Sequence, residues 1–564
     1  MDKYVIDFEN ENADENVINE KTHIWLYDFC KIDEKYEHIY GYNIDDFFKT
    51  LEKLAPCDCY SHNLKYDGIF ILDYILKHGY KYVELNSKKE KLKPYQFNTL
   101  IASTGVFYKI SICFPTQNKK KLKIVNFMDS CKKINGSVES IAKAFKLPIL
   151  KGSIYYEKKR GVGYIATPEE IAYIKNDTEI IARVLALEFN MGLDKLTTAS
   201  DTLSLYKDKT GNIFKLLFPI LPIEVDDYIR QSYRGGMVLV SDKIKGKIIN
   251  SPVYVYDVNS MYPYNMLKVL PYGTPVYFKG QYKFDKIYNL YIQKIEVCCK
   301  LKENKVPCIL INNVRHGKLS YLTDTENELI ELTLTSVDLS LLLDNYEIYE
   351  IQYIDGYKFC SSENLFKKFI VPLYDKKCNA IGSERQLYKL LLNGLYGKFA
   401  TNPRRQKKIP YLKNDIVAFR NSEVEIDKPI YTAVSAFITA HSRKYLVDNI
   451  NAHFDDFVYC DTDSIHLLNK VGDNDIMRID KTRLGYFDLE KIYVKSKYLA
   501  QKTYLCVKDN GEVDCKVAGC PKNVKSQFDF NNFNFGTELD GKLVPKKVNG
   551  GSVLKSTTFT LKNR

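Results

Sequence analysis

The stretch VYVYDVNSMYPYNM, residues 253–266, decides the fold. Its alternating apolar residues are typical of a strand, which brings Asp257 to its end before Pro263 forces a change of direction. A second stretch, DFVYCDTDSIHLL (456–468), holds Asp461 and Asp463 between apolar runs. Their i, i+2 spacing sends both side chains to one face of a strand or tight hairpin. The sequence therefore predicts acidic side chains gathered at the rim of a sheet.

Carboxylates of like charge that are buried together are costly unless a cation neutralises them. Divalent magnesium or manganese is the natural partner, because magnesium is usually held by one or two carboxylates together with substrate phosphates. These stretches therefore predict a metal site. The competing interpretation is an ordinary acidic surface turn, which the DTD tripeptide on its own favours.

A third stretch, SERQLYKLLLNGLYGKFA (383–400), has the periodicity of an amphipathic helix. Arg385, Lys389, Asn393 and Gly397 recur at every fourth position of one face, and leucines fill the other. By itself this pattern favours a solvated surface helix. Beside rim carboxylates, a row of cations is what a nucleoside triphosphate needs, because cations and metals stabilise the charge of a transferring phosphoryl group.

The first two hundred residues alternate strand-like and helix-like segments, which predicts an α/β unit. Helix 167–192 is the best marked, since Thr167 can cap it, Pro168 stands in its first turn, Glu170 completes a capping box and Gly192 stops it. The other predictions are strands at 3–10, 57–63, 232–240 and 252–258, a hairpin of 97–104 with 106–114, helices at 66–79, 362–380, 383–398 and 432–453, a turn-rich 197–201, and a loop at 402–413.

Acidic residues recur at regular spacing in this first half. Both members of each pair face one side of a strand or helix: Asp7 and Glu9, Asn63 and Asp67, Tyr173 and Asp177. Four acids from three segments could converge into one site. Each pair alone is commonplace, and for any single pair a solvated face is the simpler interpretation.

Composition excludes several classes of protein. The 564 residues are 45% hydrophobic and 27% charged, which excludes a disordered, collagenous or membrane-spanning chain. The fourteen cysteines are scattered without a C-x-x-C pair, so we expect reduced thiols. No export signal or apolar membrane segment is present, which predicts a cytoplasmic protein.

The net charge of +12 permits a nucleic-acid partner without requiring one. Two strips, 402–413 and 541–564, are purely basic. The simple interpretation is a solvated loop and a solvated tail. The alternative is phosphate contact, in which each cation releases a counterion from the nucleic acid.

DVNSMYP (257–263), KLLLNGLYGK (389–398) and YCDTDS (459–464) are similar to motifs A, B and C of family B DNA polymerases, in the same order. The surrounding chain resembles the protein-primed, phi-29-like polymerases of small phages over nearly its whole length. Further matching segments are YSHNLKYDG, KLPILKG, TPEEIAYIKND, SYRGGM, LFKKFI, YLAQKTY and TTFTLK. The resemblance implies a multidomain α/β and α+β fold, with a ribonuclease-H-like 3′–5′ exonuclease domain followed by a right-hand polymerase of palm, fingers and thumb with two insertions.

The resemblance also implies domain boundaries. They are 1–197 for the exonuclease, 198–268 and 429–525 for the palm, 269–362 for a first insertion that binds a terminal protein, 363–400 for the fingers, 401–428 for a second insertion that gives processivity and strand displacement, and 526–564 for the thumb.

Roles for polymerase residues follow from the matched motifs. Two divalent cations, Mg²⁺ or Mn²⁺, are expected on Asp257, Asp463 and the Val258 carbonyl, with Asp461 close by. The expected nucleotide-binding residues are Ser260, Tyr262, Lys377, Lys389, Asn393, Tyr396 and Gly397, of which Lys377 and Lys389 hold the triphosphate and Tyr262 excludes a 2′-hydroxyl. The expected DNA contacts are Tyr233, Arg234, Gly235 and Gly236 on the template, and Lys502, Thr503 and Tyr504 on the primer.

The exonuclease motifs imply a second metal site. Asp7, Glu9, Asp67 and Asp177 are expected to bind two cations, Tyr173 to orient the water, and Lys151 to contact the scissile phosphate. His62, Asn63 and Ser130 are expected to touch the single strand. Three positions depart from the family pattern: Gly394 replaces a serine, Ser153 an aspartate, and Gly136 an aromatic residue.

The expected partners are template and primer DNA, deoxynucleoside triphosphates and a terminal protein, and the expected setting is a monomer in the cytoplasm of an infected bacterium. Two alternatives remain open at this point. One is a family B polymerase that extends only nucleic-acid primers. The other, from a different class, is a catalytically silent factor that binds DNA or terminal protein.

Overall fold

The computed structural model describes residues 1–11, 21–85, 90–116, 122–155, 158–311 and 320–563. Within these residues no helix is both long and apolar enough to cross a membrane. Arg564, at the end of the second basic strip, lies outside them.

The first unit is a mixed sheet covered by helices, as the α/β pattern predicted. Its strands are β1 (Asp2–Asn10), β2 (Ile24–Lys31), β3 (His38–Gly41), β4 (Cys57–Ser61), β5 (Lys81–Tyr82), β6 (Gln96–Ile101), β7 (Phe107–Phe114) and β8 (Lys123–Asp129), in the order β3-β2-β1-β4-β8-β7-β6-β5. Its helices are α1 (Ile44–Leu54), α2 (Leu64–Lys77), α3 (Val138–Ala144) and α4 (Pro168–Asn190). Strand β1 pairs antiparallel with β2 and parallel with β4, so it runs through the middle of the sheet.

Aromatic packing holds this unit together. The rings of Phe29 and Phe47 stack at 4.8 Å, and Phe8 meets Phe47 edge to face at 4.7 Å. Helix α4 begins as predicted, because Thr167 accepts from the Glu170 amide while the Glu170 carboxylate accepts from the Thr167 amide. This capping box fixes the start of the helix that carries Tyr173 and Asp177.

The connecting segment contains α5 (Thr198–Thr210), α6 (Ile213–Leu217), α7 (Ile223–Arg230), β9 (Val238–Val240), β10 (Ile248–Ile249), β11 (Val253–Val258) and α8 (Met261–Asn265). The prediction of a turn at 197–201 is wrong: Thr197 caps α5 by accepting from the Ser200 amide, and threonine and serine suit helix starts as well as turns. The strand predicted at 232–240 is shorter than expected, since it begins only at Val238.

A four-stranded antiparallel sheet follows, in the order β12-β15-β13-β14 within the described residues. Its strands are β12 (Leu270–Lys279), β13 (Leu290–Leu301), β14 (Ile330–Thr335) and β15 (Tyr346–Ser362). Helix α9 (Ser336–Asn345) connects β14 to β15. The helical patterns that come next form α10 (Lys367–Asn379), α11 (Gly382–Gly394) and α12 (Tyr396–Phe399).

The two basic strips are hairpins, which corrects the loop and tail interpretations. Strands β16 (Arg404–Lys413) and β17 (Ile416–Ile426) pair with each other, as do β23 (Glu538–Val548) and β24 (Gly551–Thr560). Lys407 Nζ lies 2.6 Å from Glu425 Oε1 on the partner strand. The positive charge of this strip is therefore partly neutralised in the folded protein.

The last sheet carries the decisive stretches. It comprises β9 to β11 with β18 (Phe457–Asp461), β19 (Ser464–Leu467), β20 (Phe487–Ala500), β21 (Thr503–Lys508) and β22 (Val513–Val517), ordered β22-β21-β20-β11-β19-β18-β9, and β10 pairs with β20. Helix α13 (Thr432–Ala452) is buried on most faces and packs against this region, and α14 (Lys522–Lys525) precedes the final hairpin. Strand β11 therefore lies at the centre of the sheet.

Candidate active sites

Four acids of the first unit converge, as predicted. Asp7 and Glu9 leave β1, Asp67 lies in the first turn of α2, and Asp177 lies on α4. A cavity of about 210 Å³ opens between β1, α3 and α4, and its lining includes Asp7, Glu9, His62, Lys151, Tyr173 and Asp177. Asp67 lies near enough to Asp7 for its charge to raise the pKa of that acid. The spacing in sequence thus becomes one acidic, concave site.

The electrostatics of this site follow from burial of like charges. Burial, and then the charges of Asp67 and Glu9, raise the pKa of Asp7 well above its usual range. Burial raises the pKa of Glu9 to about 8, with Asp177 adding to the effect, and that of Asp67 to about 7. Such a cluster holds protons at neutral pH unless a cation takes their place.

Local partners hold two of the acids. Lys151 Nζ donates to Asp177 Oδ2 and lies 4.9 Å from the Tyr173 ring centroid, and Ser61 donates to Asp67. Asp177 Oδ1 is buried without a hydrogen bond of normal geometry. In the described part of the chain, no three His, Cys, Asp or Glu side chains are already close enough to hold a metal ion. The unsatisfied oxygen and the raised pKa values nevertheless fit a divalent cation, for which Lys151 and Ser61 would release the carboxylates.

The second cluster lies where β11 and β18 of the last sheet end. Asp257 on β11 and Asp461 at the end of β18 are both opposite Ser464 of β19, and Asp463 lies in the turn between β18 and β19. The Val258 amide donates to the Asp463 carbonyl at 2.8 Å, which ties the two stretches together. The rim predicted from the sequence is therefore formed.

Burial and repulsion between carboxylates also set the pKa values of this second cluster. Burial, then Asp463 and Glu490, raise the pKa of Asp257 to about 7. Burial, then Asp461, raise the pKa of Asp463 to about 6. Lys389 acts in the opposite direction on both acids. The donor set is again one that suits a divalent cation.

Cations and aromatic rings lie beside this cluster. Lys377 Nζ donates to Ser260 Oγ at 3.0 Å, and burial together with Arg385 and Lys389 lowers the pKa of Lys377. Repulsion among these cations would be relieved by a polyphosphate. The rings of Tyr262 and Tyr396 stack at 4.0 Å, so motif-like segments far apart in sequence meet here.

Comparison with known proteins assigns the family. A family model for organellar and viral DNA polymerases of type B matches residues 52–479. The chain is 41% identical over 561 residues to the DNA polymerase of Bacillus phage Nf, covering 96% of each protein, and 40% identical over 581 residues to that of Bacillus phage phi29, covering 99% of each. A solved structure of phi29 DNA polymerase complexed with primer-template DNA aligns over 100% of both chains, with a TM-score of 0.92 and 38% identity.

The chain belongs to the type B DNA polymerases. The similarity to phi29 polymerase over the full length confirms the predicted fold class, with exonuclease and polymerase domains. Polymerases of this family generally use divalent metal ions, which agrees with the two donor sets described above.

Four residues of this polymerase that the sequence predicts to contact DNA have buried side chains: Ser130, Arg234, Thr503 and Tyr504. The Arg234 guanidinium is buried and donates to the carbonyls of Leu310 and Thr333 at 2.9 and 2.7 Å. Ser130 is fully buried, donates to the Ser61 carbonyl at 3.2 Å and lies 2.9 Å from His62 Nδ1. Each of these two side chains therefore stabilises the backbone near its site through hydrogen bonds.

Tyr504 and Thr503 are buried in the last sheet. Tyr504 is 7% exposed and lies in an aromatic cluster with Tyr459 and Tyr498, each about 5.4 Å away between ring centroids. Its neighbour Thr503 is 8% exposed and donates to the Gln501 carbonyl. Lys502 remains available: its ammonium is exposed and pairs with Asp461 at 2.8 Å.

Six other residues predicted to contact DNA or nucleotide are exposed or half-buried: Asn63, Tyr233, Gly235, Gly236, Asn393 and Gly397. Gly236 packs against Thr462 and the Tyr262 hydroxyl, where an added Cβ would come within 3.1 Å of each. Asn393 and Gly397 are exposed at the ends of α11 and α12, and Asn63 is exposed before α2. Tyr233 and Gly235 flank the buried Arg234 in an irregular segment.

Two departures from the family pattern have a structural reason. An added Cβ at Gly394 would lie 2.8 Å from Thr202 Oγ1, so glycine lets α11 approach α5. Gly136 has a φ of +135°, a region that side chains rarely adopt, and its carbonyl lies 2.8 Å from His62 Nε2. Ser153 is exposed, and nothing in the structure explains the missing aspartate.

Sequence reasoning missed several residues of the polymerase site. Glu490 on β20 helps raise the pKa of both Asp257 and Asp463, and its neighbour Lys491 acts to lower that of Asp257. A buried ion pair of Arg443 and Asp338 supports the Tyr233–Gly236 segment, since Arg443 donates to the carbonyls of Arg234 and Gly235 at 2.8 and 2.7 Å. No local pattern marks the pair, because Arg443 lies in a helix that also carries Lys444 and Asp448.

Proposed function

We propose that this polymerase starts synthesis on a hydroxyl of a terminal protein, copies a linear phage genome processively with strand displacement, and proofreads with a 3′–5′ exonuclease. It would act in the cytoplasm of an infected bacterium, with the domain boundaries given from the sequence. The observation that carries the proposal is the presence of two separate acidic clusters, one on the first sheet and one on the last, in a chain 40% identical to the phi29 enzyme.

Synthesis takes place at the second cluster. Two bound divalent cations would activate a 3′ hydroxyl and stabilise the leaving pyrophosphate. Asp257, Asp463 and the Val258 carbonyl are the proposed ligands, with Asp461 beside them. Lys377 and Lys389 bind the triphosphate because they supply positive charge at the cluster.

The sugar and base lie against the aromatic pair. Tyr262, stacked on Tyr396, leaves no room for a 2′-hydroxyl, which selects deoxynucleotides. Ser260, Asn393 and Gly397 complete the nucleotide site. Lys502 holds the primer end, as a phosphate contact that positions DNA without reading its sequence.

Proofreading takes place at the first cluster. Asp7, Glu9, Asp67 and Asp177 would hold two cations, and Tyr173 would orient the water that attacks the terminal phosphodiester. Lys151, which donates to Asp177, would contact the scissile phosphate once that carboxylate is bound to a cation. His62 and Asn63 contact the single strand.

Processivity is assigned to the two basic hairpins. They approach each other, with Lys547 Nζ 4.7 Å from the Phe419 ring centroid, and Lys408 helps lower the pKa of Lys547. A duplex bound inside this positive surface would release counterions, so affinity should fall with salt. The four-stranded sheet of β12, β13, β14 and β15 is the proposed docking site of the terminal protein.

A priming assay tests the proposal. The polymerase is mixed with a terminal protein, labelled dATP and manganese, and the expected product is a nucleotide covalently attached to a Ser, Thr or Tyr hydroxyl. A chain that extends only nucleic-acid primers would overturn protein priming and leave the polymerase assignment intact. The Asp463→Asn variant is the control, because it keeps the docking sheet and should give no labelled product.

A further inference from the structure

The turn of the last hairpin is fastened to the first unit of the chain. Residues 549–552, which we call the tip, comprise the turn between β23 and β24 and the first two residues of β24. The Thr22 amide donates to the Asn549 carbonyl at 3.0 Å, and Lys77 Nζ donates to Asn549 Oδ1 at 2.7 Å. The Gly550 amide donates to Asp73 Oδ1 at 3.3 Å. Residues about 470 to 540 positions apart in sequence are thereby joined by several hydrogen bonds.

Two glycines make this close approach possible. An added Cβ at Gly550 would lie 2.3 Å from the Thr22 carbonyl oxygen, and one at Gly551 would lie 2.2 Å from the Phe70 ring. Phe70 is 1% exposed and belongs to the core of the first unit, so the ring cannot easily give way. The tip is therefore shaped to fit one place on α2.

The contact reaches the neighbours of two exonuclease acids. Asn10 follows Glu9, and Tyr66 precedes Asp67. Asn10 Nδ2 donates to the Ser552 carbonyl at 3.2 Å, and the Tyr66 hydroxyl donates to Asn10 Oδ1 at 2.9 Å while lying 3.2 Å from the same Ser552 carbonyl. One backbone oxygen of the tip thus holds side chains from both β1 and α2.

The end of β1 needs such support. Its pairing with β2 is regular up to Glu9, opposite Leu26, and shifts register at Asn10, so the ladder does not fix the residue that directly follows the carboxylate. The Asn10 amide also donates to the Glu11 carbonyl and Thr22 Oγ1, which makes it the centre of the local network. Losing the tip would leave this end of the strand less constrained.

We propose that the docked tip positions Glu9 and Asp67 through Asn10 and Tyr66, so that strand degradation, but not nucleotide incorporation, depends on its contact with the first unit. The inference rests on the proposed exonuclease function. Asn10 and Tyr66 are positioning residues here, since they act through the adjacent carboxylates. The last hairpin, which is basic and faces DNA in our proposal, thereby adjusts the site that removes the primer end.

Tyr66→Phe tests this most directly, because it removes one hydroxyl and keeps the ring. We expect kcat for degradation of a labelled single strand to fall about five- to tenfold with KM unchanged, since misplaced groups slow chemistry without weakening binding. Nucleotide incorporation on a primed template should stay within about twofold. Tyr95→Phe, at an exposed tyrosine of the same unit, is the matched control and should change neither rate.

Gly551→Ala displaces the tip by a different route, and should lower the same kcat. The double variant Tyr66→Phe/Gly551→Ala should be no slower than the slower single variant, because both act on one path. Unchanged kcat in Tyr66→Phe, a rise in KM alone, or an equal loss of incorporation would each overturn the inference. If the wild-type chain degrades no single strand and Asp177→Ala makes no difference, it is the exonuclease proposal that fails.

Discussion

Lys502 and Asp461 form an ion pair at the edge of the polymerase cluster, with Nζ 2.8 Å from Oδ1 and 3.0 Å from Oδ2. Lys502 has a φ of +54°, and its amide donates to the Tyr459 hydroxyl at 3.1 Å, so the backbone fixes its place. The pair is partly exposed and contributes little to folding. Its importance lies in charge, since Asp461 raises the pKa of Asp463 and Lys502 offsets Asp461.

Lys502→Met removes this cation. We expect nucleotide incorporation near pH 7 to fall by about tenfold, and the acidic limb of its pH profile to move to higher pH, because Asp463 must then ionise beside an uncompensated neighbour. Lys508→Met breaks the pair of Lys508, at the end of β21, with Glu512 in the turn that follows, and is the control. Equal profiles for Lys502→Met and the wild type would contradict the prediction.

Substitution of one acid should remove the activity of its own cluster and leave the activity of the other cluster unchanged. Asp463→Asn should abolish synthesis and spare degradation of single strands, and Asp177→Ala should do the reverse, because each acid serves one cluster. Both activities are measured on the same preparations, with circular dichroism to check the fold. Loss of both activities in either folded variant would mean that the division into two sites is wrong.

Stability of the metal-free protein should depend on pH through the first cluster. The pKa values of Glu9 and Asp67 are raised to about 8 and about 7, so between about pH 4 and pH 8 the folded chain binds more protons than the unfolded chain. The sign is therefore a loss of stability as pH rises. The midpoint temperature of thermal unfolding should therefore be lower at about pH 8 than at about pH 5.

Magnesium should reverse this loss, since a cation replaces the protons. The rise in midpoint on adding magnesium should be larger at about pH 8 than at about pH 5. The variant Glu9→Gln/Asp67→Asn, which keeps the shape of both side chains, should show a smaller pH dependence and a smaller rise. A rise that is the same at both pH values and in both proteins would argue against a cation at this cluster.

Local spacing predicted where the acids gather, but not which side chains are buried. Asp7 with Glu9, and Asp461 with Asp463, face one side because a strand or turn of known period carries them, and the Thr167 capping box depends only on neighbours. Burial is not a local property. Arg234 and Tyr504 match a motif in sequence, yet the first meets carbonyls 76 and 99 residues away and the second is enclosed by rings from other strands.

The same reason explains what was missed. Asp338 and Arg443 are 105 residues apart, and the tip meets Asn10 over 542 residues, so no spacing rule relates them. The basic strip 402–413 was expected to be a loop because its charges suggested solvent. Its partner strand carries Glu425, which neutralises part of that charge only once the hairpin has formed.

The buried pair of Arg443 and Asp338 gives the last prediction. Both side chains are at most 1% exposed, and their bonds of 2.7 to 3.1 Å hold the segment that runs past the polymerase cluster. Asp338→Ala leaves the guanidinium buried without its counter-charge, which should destabilise the fold by about 3–5 kcal/mol. Lys444→Ala breaks the exposed pair with Asp448 on the same helix and should cost about 0.5 kcal/mol or less.

Calorimetric unfolding of the two variants gives the comparison. Asp338→Ala/Arg443→Met should recover part of the lost stability, because it removes the unpaired charge as well as the pair. Its rate of synthesis should be lower than that of the wild type, since without Arg443 the carbonyls of Arg234 and Gly235 lack the donor that orients them beside Thr462 and Tyr262. Wild-type synthesis in the double variant would show that the pair contributes only stability, and that Tyr233–Gly236 keeps its conformation without it.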